Sequence, residues 1–230
     1  MADEAMIAVR DAWLTYGSGA SAVSVLRGAH LDVPAGQSLA ITGPSGSGKS
    51  TLLMLLGGLE RPDQGAVTVA GENLVALSED ALTAFRGRAM GIVFQSFHLI
   101  PTMTALENVA VPLELAHVDG AHERARAELA AVGLGERADH YPTELSGGEQ
   151  QRVAIARSVA NAPLVLMADE PTGNLDPATA GYVFEALEAL VRQSGLAALI
   201  ATHNHEIAGL MDRRITLQDG QVVEMVAEQA

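Results

Sequence analysis

Gly43-Pro44-Ser45-Gly46-Ser47-Gly48-Lys49-Ser50-Thr51 stands between a short apolar run, Ser38–Thr42, and a helical pattern, Lys49–Gly58. Gly43, Gly46 and Gly48 permit backbone conformations and a closeness of approach that a β-carbon would forbid. Successive N–H groups of such a loop converge on a phosphate, and the helix behind it adds its positive end. In that pattern Lys49 reaches the β- and γ-phosphate oxygens, and the Ser50 hydroxyl ligates Mg²⁺. The plain alternative is a glycine-rich turn opening a helix. The apolar run before it and the helix after it favour the phosphate cradle, with all nine residues, Gly43 to Thr51, as nucleotide contacts.

Outward from the loop, Leu164-Val165-Leu166-Met167-Ala168 is an apolar strand ending in Asp169 and Glu170. Alone, two acids after a strand read as a solvated turn. Beside a phosphate loop, Asp169 is placed to hold Mg²⁺ and Glu170 to orient or deprotonate an attacking water. Between the two lies Leu145-Ser146-Gly147-Gly148-Glu149-Gln150-Gln151-Arg152, where Ser146 reads as the N-cap of a helix.

The rest of the chain alternates. Ile7–Trp13, Ala29–Val33, Ser38–Thr42, Ala66–Val69, Gly91–Phe94, Leu164–Ala168 and Ala197–Ala201 read as strands. Thr104–Ala116, His122–Val132, Ser146–Ala160 and Pro177–Arg192 read as helices. The pattern predicts one α/β domain over residues 1–230, with a nucleotide-binding core from 1–94 and 161–230 and a helical subdomain at 95–160. A chain of 230 residues suits one large domain of this kind.

Composition narrows the partners. A net charge of −14 argues against nucleic acid and against docking on anionic lipid. With no cysteine there are no disulfides or thiolate metal sites, which suits a reducing compartment. Met1-Ala2-Asp3-Glu4 has no apolar run and does not read as a secretory signal. The longest uncharged stretch, Ala89–Leu106, is interrupted by Gly91, Gln95, Ser96, His98 and Pro101, so direct membrane insertion is not expected.

Taken together, these motifs resemble those of the ATP-binding subunits of ABC transporters, over essentially the whole chain. Leu145–Arg152 matches that family's signature. The resemblance implies a P-loop NTPase core of ABC type, with an N-terminal antiparallel β portion and an inserted helical subdomain. It implies an ATPase that works as a head-to-tail homodimer with ATP and Mg²⁺ at the interface. Ser146, Gly147 and Gly148 would then face the γ-phosphate of ATP held by the other subunit. Gln95 matches the glutamine that senses Mg²⁺ and the membrane partner, and Tyr16 the aromatic that stacks on adenine. Asp176, in Gly173-Asn174-Leu175-Asp176, matches the loop that crosses the dimer interface, and would also cap the helix from Pro177. His203 matches the histidine that contacts the γ-phosphate. The family has aspartate after it, whereas here the run is His203-Asn204-His205-Glu206, so a His-x-His metal pair stays open as the alternative.

Phe97–Val109 and Gly173-Asn174, in place of the commoner Ser-Ala, resemble the LolD, MacB and YbbA group, and Ser96–Val109 with Asp139-His140-Tyr141-Pro142 reads closest to YbbA, with LolD next. That likeness implies a membrane permease with few spans and a large periplasmic domain, in lipoprotein release or MacB-like export. It implies a cytoplasmic protein bound peripherally to the bacterial inner membrane through the permease, near Gln95–Leu115. Phe97, Leu99, Ile100 and Met103 would be either that contact or core. The alternatives are an FtsE-like regulatory ATPase that signals across the membrane without transport, and a soluble non-transport ABC ATPase.

Overall fold

A computed structural model describes residues 5–225, and Met1–Glu4 lie outside it. The strands are β1 (Ile7–Tyr16), β2 (Val23–Val33), β3 (Ser38–Thr42), β4 (Gln64–Val69), β5 (Glu72–Asn73), β6 (Met90–Val93), β7 (Val165–Asp169), β8 (Ala197–Ala201), β9 (Arg213–Gln218) and β10 (Gln221–Glu224). The helices are α1 (Lys49–Leu56), α2 (Glu79–Ala89), α3 (Ala105–Leu115), α4 (Ala121–Ala131), α5 (Gly147–Val159), α6 (Pro177–Ser194) and α7 (His205–Gly209).

Two sheets result. One is antiparallel in the order β2-β1-β4-β5; the other runs β10-β9-β3-β8-β7-β6 and is parallel apart from the β9–β10 hairpin. Strands β7 and β8 are near-continuous apolar runs because the parallel sheet is covered on both faces. Successive side chains alternate between those faces. Val165 and Met167 join α1 and the antiparallel sheet in one core, while Leu166 and Ala168 join α3, α4, α5 and α6 in the other. The helices of residues 95–160 therefore share a core with the sheet rather than burying one of their own.

The structure departs from the sequence reading at several places. Helix α2 was not anticipated: it turns only Leu82, Phe85 and Ala89 inward, carries charges at Glu79, Asp80, Arg86 and Arg88, and is capped by Ser78. The β9–β10 hairpin and short α7 were likewise unread, and β1 and β2 are longer because they pair along nearly their whole length. Helix α1 stops at Leu56, two residues early, because Gly57 caps it and Gly58 takes a left-handed φ of 62°.

Candidate functional site

Neighbouring parallel strands deliver their carboxyl ends to one edge of the sheet, the place where open α/β sheets bind ligands. Ile41 of β3 and Asp169 of β7 both pair with Ala201 of β8. The Gly43 loop, the Asp169-Glu170 pair and Thr202-His203 thus emerge side by side.

Within the loop Gly43, Gly46 and Gly48 have φ of 137°, 80° and 100°, all in the region glycine favours. A β-carbon at Gly48 would sit 2.8 Å from Val25 Cγ1. Lys49 is only 7% exposed, and its Nζ donates to the carbonyls of Gly43 (2.9 Å) and Pro44 (3.1 Å). Its ammonium is thereby folded over the rim of the loop that the sequence assigns to phosphate. The hydroxyl of Tyr16 faces Thr51 and Glu60, next to the same loop; burial, opposed by Thr51 and reinforced by Glu60, holds its phenol above the ordinary value.

Ser50 and Asp169 line one small cavity together with Leu53, Met54 and Phe94. Asp169 Oδ1 is buried and has no hydrogen-bond partner. A stranded carboxylate oxygen beside a hydroxyl is costly unless a cation completes it, and the donor set suits a hard ion such as Mg²⁺.

Glu170 leaves β7 with a left-handed φ of 45°, which turns its side chain toward β8. Its Oε2 accepts from the main-chain N–H of His203 (3.3 Å) and lies 2.9 Å from His203 Nδ1. A carboxylate only accepts, so Nδ1 carries the proton and Nε2 is left as the ring's other nitrogen. The imidazole is 70% exposed. Asn204, where the family has aspartate, is a cap: its Oδ1 accepts from Glu206 N and Ile207 N, which starts α7. His205 is the exposed first residue of that helix.

Gln95 does not line the Ser50–Asp169 cavity. It follows β6 and exchanges hydrogen bonds with Asn174. The chain after it, Phe97 (φ 57°) and His98 (φ 48°), is held in two consecutive left-handed conformations by Arg157 of α5, which donates to both carbonyls at 2.8 and 2.7 Å. Asn108 of α3, fully buried, accepts from Ile100 N and donates to the carbonyls of Ile100, Met103 and Thr104. Leu99 packs against the core, Phe97 and Met103 are half-buried, and Ile100 is exposed. Asn108 and Arg157, which hold this loop, are not residues the sequence singles out. Their signal was polarity on a helix face that otherwise turns apolar residues inward, since such groups need partners.

The signature segment occupies a different place. Ser146 caps α5 in a reciprocal box: Glu149 N donates to its Oγ, and the Glu149 carboxylate accepts from Ser146 N and Oγ. Those bonds, first that from Ser146 N, hold the Glu149 carboxyl below the ordinary range. Gly147 and Gly148 form the first turn, and Asp176 caps the adjoining α6 through Thr179 N (3.1 Å). Ser146, Gly148, Glu149, Arg152, Thr179 and Tyr182 line an open depression that shares no residue with the Ser50–Asp169 cavity. The structure therefore brings together Ser50 with Asp169, Glu170 with His203, and Tyr16 with Thr51, but leaves Ser146, Gly147 and Gly148 on a separate face.

Known proteins resemble this chain in sequence and in fold. Residues 26–173 match the model of the ABC transporter family. The lipoprotein-releasing system ATP-binding protein LolD of Rhodopseudomonas palustris (strain BisB5) is 51% identical over 225 residues, covering 97% of both chains. LolD of Maricaulis maris (strain MCS10) is 54% identical over 214 residues, 92% of this chain and 93% of that one. Among solved structures, the ATP-binding cassette MJ0796, as a post-hydrolysis dimer bound to ADP and Pi, superposes with a TM-score of 0.89 at 38% identity, over 98% of this chain and all of that one. With its phosphate loop, acid pair and signature helix carried on this fold, the chain belongs to the ABC transporter family as an ATP-binding, ATP-hydrolysing cassette.

Proposed function

We propose that this ATPase works as a head-to-tail homodimer that energises the permease of a lipoprotein-releasing system at the cytoplasmic face of the bacterial inner membrane. The carrying observation is the division of the site into two faces. The Lys49 face has the cradle and the acids, while the Ser146 helix end lies elsewhere, so two copies are needed to enclose one ATP. The LolD relatives and the dimeric form of MJ0796 support this reading. Among the described residues no helix is long and apolar enough to cross a membrane, and in this reading the work is passed to another chain. We assign that role to a permease with a large periplasmic domain, docking near Gln95–Leu115. In this scheme residues 95–160 act as the helical subdomain that carries the Ser146 face.

Each residue has a physical task. The loop amides of Gly43–Thr51 and the Lys49 ammonium bind the phosphates, and Tyr16 stacks on adenine. Ser50 and Asp169 would hold Mg²⁺, with Gln95 reaching it from outside their cavity; when bound, the ion neutralises charge on the β- and γ-oxygens. Glu170 orients the attacking water and takes its proton, while His203, braced by Glu170, contacts the γ-phosphate. Ser146, Gly147 and Gly148 offer the positive end of α5 to the partner-held γ-phosphate, and the Asp176 loop lies along the interface. Two subunits of charge −14 repel, so closure should require the attraction between the bound γ-phosphate and the positive end of the other subunit's α5. Loss of the γ-phosphate then reopens the dimer.

Complementation tests the arrangement. Lys49→Ala should weaken ATP binding about ten-fold or more by removing a charge-assisted contact. Ser146→Arg should leave monomeric ATP binding intact and abolish ATP-driven dimerisation. Mixing the two leaves one competent site per mixed dimer, so partial dimerisation on gel filtration should return. No recovery, under conditions where the parent chain dimerises, would sink the head-to-tail arrangement.

A further inference from the structure

Gly173-Asn174 stands where the family more often has Ser-Ala, and the ATPase reading so far gives those two residues no task. The structure supplies one. Asn174 Nδ2 lies 3.1 Å from the main-chain oxygen of Gln95, and Asn174 Oδ1 lies 3.2 Å from Gln95 Nε2. A main-chain carbonyl only accepts, so the nitrogen of the Asn174 amide must face it. Its oxygen then faces the Gln95 side chain and can be met only by a donor, Nε2. The orientation of the Gln95 amide is thereby set through a chain of bonds that begins at a fixed carbonyl, and Oε1 is the end left over. Gly173 eases the contact: a β-carbon there would sit 3.1 Å from Gln95 Nε2 and 3.3 Å from Glu170 Cβ, so those neighbours would have to give by a few tenths of an ångström. Alanine at position 174 could form neither bond.

We infer that Asn174 is a positioning residue that presents Gln95 Oε1, rather than Nε2, to the metal of the nucleotide site. The inference rests on the ATP and Mg²⁺ assignment above. It also ties the orientation of Gln95 to the loop between Glu170 and Asp176, the segment assigned to the subunit interface.

Equilibrium binding of Mn²⁺, followed by electron paramagnetic resonance with a β,γ-imido analogue of ATP, measures the effect without turnover. Asn174→Ala should weaken Mn²⁺ binding about three- to ten-fold, the worth of one or two neutral hydrogen bonds, and leave metal-free binding of the analogue unchanged. In a Gln95→Ala background the same substitution should add nothing, because Asn174 acts through Gln95. In the protein free of nucleotide and metal, Asn174→Ala should also shift the Gln95 side-chain amide resonance in ¹⁵N spectra. Unchanged Mn²⁺ affinity, or equal weakening in both backgrounds, overturns the inference. Lys49→Ala is the control. If it still binds the analogue at parental strength, the nucleotide assignment falls and takes this inference with it; if it does not, a null result at Asn174 counts against positioning alone.

Discussion

Replacing Gly148 by alanine probes the seam between the signature helix α5 and α6. The added β-carbon would lie 2.3 Å from Thr179 Cγ2, while the next nearest atoms, Thr179 Cβ and Val183 Cγ2, are 3.8 and 3.9 Å away. The shortfall from ordinary carbon–carbon contact is about 1.2 Å or more, and it comes from one methyl group. Overpacking of this kind costs about 1–3 kcal/mol. The better helix propensity of alanine returns up to about 1 kcal/mol, leaving a net loss near 1–2 kcal/mol. For a chain of this size each kcal/mol lowers Tm by about 2–4 °C, so scanning calorimetry should record a fall of about 2–8 °C. Thr179→Ser deletes the offending methyl and keeps the hydroxyl beside Asp176, so the double variant should regain most of the loss. Because the clash pushes the Ser146 end of α5 aside, ATP-driven dimerisation should weaken in Gly148→Ala and recover with Thr179→Ser, while monomeric ATP binding stays constant. A Gly148→Ala protein as stable as its parent, or one that Thr179→Ser does not rescue, would refute the steric account.

Two further substitutions test the elements around the site. Asn108→Ala removes four hydrogen bonds, but the Ile100 carbonyl keeps Met103 N and the Thr104 carbonyl keeps Asn108 N. Only Ile100 N–H and the Met103 carbonyl are stranded, so urea unfolding should show a loss of about 2 kcal/mol. Glu149→Gln tests the capping box through pH. The folded carboxyl titrates below its ordinary range, so its stabilising contribution is complete above that range and is lost as pH falls through the lowered value. The gap in Tm between parent and Glu149→Gln should be full at neutral pH and close on acidification; a gap independent of pH would show that the charge plays no part.

Legibility in the sequence followed burial. Strands β3 and β8 were read to the residue because both of their faces are covered, which makes β8 and the interior of β3 unbroken apolar runs. Helix α2 and strands β9 and β10 escaped because few of their side chains turn inward, so period-based patterns fade. Roles at the site divide similarly. The Lys49 loop and the Asp169-Glu170 pair are contiguous in sequence, so their chemistry could be argued locally. The Gln95–Asn174 exchange joins residues 79 apart, and the clamp of Arg157 on Phe97 and His98 joins residues about 60 apart. No local pattern encodes such pairs; they exist only once β6, α5 and α6 have packed.

Strand β7 carries the acid pair on its end and divides its side chains between two separate cores, Val165 and Met167 in one, Leu166 and Ala168 in the other. The aim of Asp169 and Glu170 is accordingly set by packing on both flanks, and catalytic geometry tolerates far less displacement than folding does. On the roles proposed for Asp169 and Glu170, a loosened core should tilt the acids before it unravels the chain. Conservative substitutions as distant as Phe184 or Leu56 should therefore yield proteins that express, pass every spectroscopic check of integrity and hydrolyse slowly. For this cassette, tolerance scored by abundance alone will overstate tolerance scored by work done.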